Sequence, residues 1–136
     1  MNGHCLCGAV SFTSPNAEKL QPANVAFAVG GVGPLLAIHC RPNVQFSGTD
    51  QITSYASSVC VERVFCKRCG THFYYKFSAT GEYFVAADAV DSTDFDLVSQ
   101  IYVDRKPAYY SFANQTAMLT DQQGIEQYTS PNNQAA

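Results

Sequence analysis

The chain has 136 residues, 46% of them apolar and 14% charged, with a net charge of −3 and a pI near 5.4. That is the length of one domain with enough apolar material for a core, and no basic patch points to nucleic acid. The longest apolar stretch, Ala23 to Ile38, is broken by Asn24, Gly30, Gly31, Gly33 and Pro34, so no membrane span is expected.

In chain order, His4-Cys5-Leu6-Cys7-Gly8 comes first, followed by Ala9 to Thr13, whose alternation predicts a half-buried strand. Ser14-Pro15-Asn16 reads as a turn, Val25 to Val29 as a short apolar run, and Gly30 to Pro34 as a loop. Strands are predicted at Leu35 to His39, Val44 to Phe46 and Ile52 to Tyr55, with turns at Arg41 to Asn43 and Ser47 to Asp50 between them. Val59 to Phe65 leads into Cys66-Lys67-Arg68-Cys69-Gly70, and Thr71 to Phe77 leads away, with Phe73, Tyr75 and Phe77 expected on one face. Thr80-Gly81-Glu82 is a hairpin turn and Tyr83 to Ala87 its returning strand. A capped helical turn is expected at Ser92 to Asp96, a strand at Val98 to Val103, packed aromatics at Tyr109 and Tyr110, and a short helix at Asp121 to Tyr128. Many short strands without a long amphipathic helix predict an all-β domain.

No cationic segment followed by an apolar one opens the chain, so no signal peptide is expected. Six cysteines then suggest a reducing, cytoplasmic setting, where metal binding is favoured over disulfides. Cys5 and Cys7 are two apart, and in an extended segment they project to the same side, which suits two thiolates on one ion. Cys66 and Cys69 flank a tight turn that Gly70 releases through a positive φ. One structural zinc held by Cys5, Cys7, Cys66 and Cys69 is the reading preferred over free thiols or redox pairs.

Cys5-Leu6-Cys7-Gly8-Ala9-Val10-Ser11-Phe12 resembles the opening of the glutathione-dependent formaldehyde-activating enzyme and centromere protein V family. The segments Glu62 to His72, Gly81 to Val85, Gln100 to Asp104 and Lys106 to Asn114 resemble it in the same order, so the likeness runs from about Gly3 to Tyr128. It implies a β-tent of small antiparallel sheets around a structural zinc, with short helical turns, over residues 3–128 and a frayed tail at 129–136. It also implies kinship with S-(hydroxymethyl)glutathione synthase, a carbon–sulfur lyase that joins glutathione to formaldehyde. Such enzymes carry a second, catalytic zinc on a central Cys-x-Cys-x-x-Cys just before a glycine-rich loop ending in Pro. Anchored on Gly30 to Pro34, those ligand positions fall on Pro22, Asn24 and Phe27, and the chain has no Cys or His between Cys7 and His39. Pro and Phe offer no ligand atom and Asn a poor one, so the family's catalytic zinc is not expected.

The other candidates are weaker. His39, Cys40 and Cys60 could form a relocated metal site, although strand neighbours such as His39 and Cys40 face opposite ways. His4 and His72 flank the zinc cysteines and read as their surroundings. Gly30, Gly31 and Gly33 could cradle a ligand through backbone N–H groups, but without the phosphate-loop pattern. Asp88, Asp91, Asp94 and Asp96 read as solvated loop carboxylates, with Arg63 and Arg105 able to meet them or an anionic ligand. The preferred function is a diverged, non-catalytic member that binds a small molecule, a thiol such as glutathione among the candidates. The alternatives are a carbon–sulfur lyase using another catalytic group, and an interaction module that dimerises through an exposed sheet face.

Overall fold

A computed structural model describes residues 1–15, 21–28, 34–40, 43–120 and 122–123, with 21 and 22 described through their backbone. The glycine loop at Gly30, Gly31 and Gly33, the turn residues Asn16, Arg41 and Pro42, most of the predicted helix at 121–128, and the tail lie outside the described residues.

Among the described residues, eleven strands make two sheets. The smaller joins β1 (Asn2–His4), β2 (Ser11–Thr13) and β5 (Gln45–Ser47) antiparallel, with Gly3 opposite Phe12 and Phe12 opposite Phe46. The larger contains β3 (Gln21–Ala26), β4 (Leu35–Cys40), β6 (Ile52–Ala56), β7 (Val61–Cys66), β8 (His72–Phe77), β9 (Tyr83–Ala86), β10 (Phe95–Ile101) and β11 (Ala117–Leu119). Its order is β11-β10-β3-β4-β9-β8-β7-β6.

The all-β expectation holds, and among the elements bounded by described residues the helical turns are single 3-10 turns at Thr49–Gln51, Ala87–Ala89 and Val103–Arg105. The expectation of small antiparallel sheets needs correcting in its detail. One sheet has eight strands, and β10 pairs parallel with both β3 and β11. The capped helical turn at 92–96 is not formed. Ser92 does accept the Asp94 N–H at 3.1 Å, but the chain then extends, and Phe95 pairs with Gln21 as the first residue of β10. Long-range pairing has overridden a local cap.

Two apolar clusters lie on opposite faces of the large sheet. Ile38, Cys40, Val85 and Cys66 join Phe12 and Phe73 on one face, while Ala37, Phe84 and Ile101 join Tyr75 and Phe77 on the other. Phe73 therefore does not share a face with Tyr75 and Phe77. The register slips between Val64 and Phe65, because Val64 faces Tyr74 and Phe65 faces His72. Phe73 is the extra residue, and a bulge inverts the phase of a strand. It turns Phe73 edge-on to Phe12, at 6.3 Å between ring centres. No helix among the described residues is long and apolar enough to cross a membrane.

Candidate metal centre

Two turns of one design bring the four predicted cysteines together. In the first, which follows β1, the Cys5 carbonyl accepts the Gly8 N–H at 3.1 Å and the Cys5 N–H reaches the Val10 carbonyl at 3.0 Å. In the second, at the end of β7, the Cys66 carbonyl accepts the Gly70 N–H at 2.8 Å and the Cys66 N–H reaches Thr71 at 2.9 Å. Gly8 and Gly70 both have φ +77, and a Cβ at either would meet nothing within 4 Å. Glycine is needed there for its backbone freedom, not for space.

The four Sγ atoms lie within 4.8 Å of one another. Cys5 and Cys7 are 3.5 Å apart, Cys7 and Cys66 3.8 Å. A tetrahedral ion with metal–sulfur bonds of about 2.3 Å needs edges of about 3.8 Å, so the donor set fits one. The surroundings supply donors to sulfur. The Val10 N–H lies 3.4 Å from Cys5 Sγ, and the Thr71 hydroxyl lies 3.2 Å from Cys69 Sγ while accepting the Leu6 N–H at 3.2 Å. Thr71 thus ties the two turns to each other.

The thiols divide the available protons among themselves. The Thr71 hydroxyl, then the Thr71 and Cys7 backbone N–H groups, hold Cys69 down at about 5. At Cys7 the Ala9 N–H pulls down, but desolvation and the three neighbouring sulfurs outweigh it and push the thiol up to about 11. At Cys5 burial pushes upward, and the Val10 N–H with the Cys7 and Cys66 thiols overcomes it, leaving Cys5 below its ordinary range. Four negative sulfurs this close repel strongly, and a cation at their centre removes that conflict. Cys5 and Cys66 are buried and Cys7 is exposed, so the cluster sits at the rim of the core.

The two flanking histidines are not part of the cluster. His4 meets the Cys5 carbonyl at 2.8 Å through Nδ1 and Asp91 at 3.1 Å through Nε2. His72 has a buried Nε2 without a hydrogen-bond partner, and burial, then Arg63, hold its imidazole below its ordinary range against the pull of Asp88.

The relocated site of His39, Cys40 and Cys60 is not assembled. Among the described residues, the group of three or more possible metal ligands that comes together is the four cysteines. His39 pairs with the buried Glu82 at 2.9 Å and stacks on Phe84, with ring centres 4.5 Å apart. Cys40 lies on the opposite face, where burial pushes its thiol up to about 11, and Cys60 is exposed beside Ser58 at 3.4 Å. The acidic residues are dispersed in the same way: Asp91 takes His4, and Asp88, Asp94 and Asp96 do not converge with it.

Asn24 and Phe27 stand where the family resemblance would place catalytic ligands, and both are engaged in packing. Asn24 is buried and accepts a hydrogen bond from the Ser99 hydroxyl. Phe27 is buried against Tyr110 and Phe112, at 6.1 and 6.0 Å between ring centres. Pro22 contributes its backbone to β3, opposite Asp96 of β10.

On the face away from the cysteines lies a cavity of about 240 Å³, whose wall includes Arg63, Tyr75, Phe77, Phe84, Tyr102 and Arg105. Arg63 and Arg105 were the cations singled out in the sequence. The aromatic wall was missed. Only the alternation of Tyr75 with Phe77, and of Phe84 within its strand, hinted that these rings share a face.

The chain matches no family model. It is 33% identical over 124 residues to a Schizosaccharomyces pombe protein described as an uncharacterized lyase, covering 87% of this chain and 89% of that one. Its fold is similar to the crystal structure of a Rhodobacter sphaeroides protein, with a TM-score of 0.58 over 68% of this chain and 90% of that one, at 21% identity.

Proposed function

The chain belongs to the family of the Schizosaccharomyces pombe lyase, and from that premise we propose that it is a diverged formaldehyde-activating enzyme and centromere protein V relative, with one structural zinc and no catalytic one. Cys5, Cys7, Cys66 and Cys69 hold the zinc. Four thiolates complete a tetrahedral shell and leave no open position for a substrate or an activated water, so this ion supports the fold and not a reaction. Zinc is favoured by an all-thiolate tetrahedral donor set supplied as a Cys-x-Cys and a Cys-x-x-Cys pair.

The observation that carries the proposal is the state of Asn24 and Phe27. A catalytic metal needs ligand atoms aimed at an accessible centre. Asn24 spends its side-chain oxygen on Ser99, and Phe27 fills an aromatic cluster. The binding face for a small molecule is the cavity on the side of the large sheet away from the cysteines. A second reading, a carbon–sulfur lyase using another group, is favoured by the relative's description and by the exposed Cys60 thiol beside Ser58, a residue of the cavity wall.

The test is elemental analysis of the chain purified without chelator, alongside a coupled assay for S-(hydroxymethyl)glutathione formation. One zinc per chain and no acceleration over the spontaneous reaction are expected. Two metals per chain, or acceleration that survives in the unaltered protein and is lost in Cys60→Ser, would overturn the proposal in favour of the lyase.

A further inference from the structure

We propose that the 240 Å³ cavity binds a small organic acid with a single carboxylate on a compact aromatic body. This deepens, and rests on, the reading that this face is a ligand site and not a metal site. Four observations converge on that chemistry.

The first is charge. Among the described residues of the wall, Arg63 and Arg105 carry charge and no carboxylate is present. A guanidinium has five donors in a planar fork, so one already engaged with a neighbour keeps donors for a carboxylate. The second is the wall itself. Arg63 stands opposite Tyr75 across the β7–β8 pair, and Tyr75 lies flat on Phe84 with ring centres 4.7 Å apart and planes 1° from parallel. Phe77 meets Phe84 edge-on at 5.2 Å. The result is an apolar aromatic wall with a cation beside it, which suits an apolar ring bearing an anionic arm.

The third is the far side. Arg105 lies over the Tyr102 ring at 5.3 Å, and among the described residues Tyr102 is the non-glycine residue with a positive φ, at 62°. Both side chains line the cavity, and backbone strain of this kind persists where its surroundings over-determine it. The fourth is size. A dry apolar cavity of about 150 Å³ holds a benzene ring. At about 240 Å³ this one admits a ring and a short acid-bearing arm.

The probe is 3-phenylpropanoate, titrated calorimetrically into the metal-loaded full chain beside its neutral amide. The acid is expected to bind with a dissociation constant of about 10–100 μM, and the amide at least about tenfold more weakly. Arg63→Met and Arg105→Met should each weaken the acid about tenfold or more, with Arg→Lys at either position intermediate, because a lysine cannot reproduce the fork. Acid and amide binding equally, no acid binding at millimolar concentration, or an unchanged Arg105→Met would each overturn the inference. The acid–amide comparison needs no variant, so it decides even if Arg63→Met fails to fold. Metal content of the same sample separates the two proposals. One metal without acid binding sinks this inference alone. Two metals sink the one-zinc reading, and this inference then stands only if Arg63→Met and Arg105→Met still weaken the acid, and falls if they do not.

Discussion

Replacing Cys66 with Ser should unfold the chain, and the expected size follows from the geometry. Cys66 is fully buried, and its Sγ lies 3.8 Å from that of Cys7, 59 positions earlier. An ion shared by those sulfurs closes a loop of that length. Treated as a cross-link, the closure alone removes about 4 kcal/mol of unfolded-state entropy. Bonding adds to it, and structural zinc in small domains supplies about 10 kcal/mol or more at neutral pH. The net stability of a domain is about 5–15 kcal/mol, so losing the ion costs most or all of it. Serine keeps the shape but offers no thiolate. Metal per chain by elemental analysis, read with guanidinium unfolding followed by circular dichroism, tests this. Cys60→Ser, outside the cluster and exposed, is the control and should match the parent. A Cys66→Ser chain that has lost its metal yet unfolds cooperatively near the parental midpoint would refute the reasoning.

Thr71→Val removes the hydroxyl that touches Cys69 Sγ and holds the Leu6 N–H. It should lower metal affinity about tenfold or more in a chelator competition, with Thr71→Ser close to the parent. Gly3→Ala would place a Cβ 2.3 Å from both the Ala89 carbonyl and the Phe12 ring, while Gly8→Ala meets nothing but has φ +77. The first should cost about 3 kcal/mol and the second about 1 kcal/mol in denaturant unfolding. Because burial raises the Cys40 thiol from 9.0 to about 11, the unfolded chain ionises there first. Stability is therefore retained below pH 9.0 and falls as the pH rises to about 11, by about 3 kcal/mol at most. Cys40→Ala should flatten that stretch of the pH profile.

The cysteine turns were legible in the sequence because their chemistry is local. Cys-x-Cys-Gly and Cys-x-x-Cys-Gly each specify the turn, the two donors and the positive-φ residue within five positions. Pairing the two turns with each other rested on valence, since one tetrahedral ion needs four ligands. What escaped was non-local. β3 carries Pro22 and two alanines and shows no alternation, yet it is a strand because β4 and β10 flank it. β11 is three residues long and exists through its pairing with β10. The face of Phe73 could not be read from strict alternation, since a single bulge inverts the phase and leaves no mark in composition. The cavity wall runs from residue 26 to residue 105 and is assembled by strand register, so no window of sequence contains it.

The two faces of the large sheet keep the cysteine cluster and the cavity apart while one strand serves both. Val64 is buried and two positions from Cys66 in β7, so the two share a face, whereas Arg63, one position earlier, walls the cavity on the other. Cys66 ends the same strand, so an ion that fixes Cys66 also fixes where Arg63 stands opposite Tyr75. The cavity depends on the cysteine cluster for position but shares none of its ligands. Asn24 and Phe27 are engaged with Ser99, Tyr110 and Phe112, apart from the cysteine cluster. The aromatic wall and Arg63 are held in place by the pairing of β7, β8 and β9, and register is what a bound acid would require of the fold.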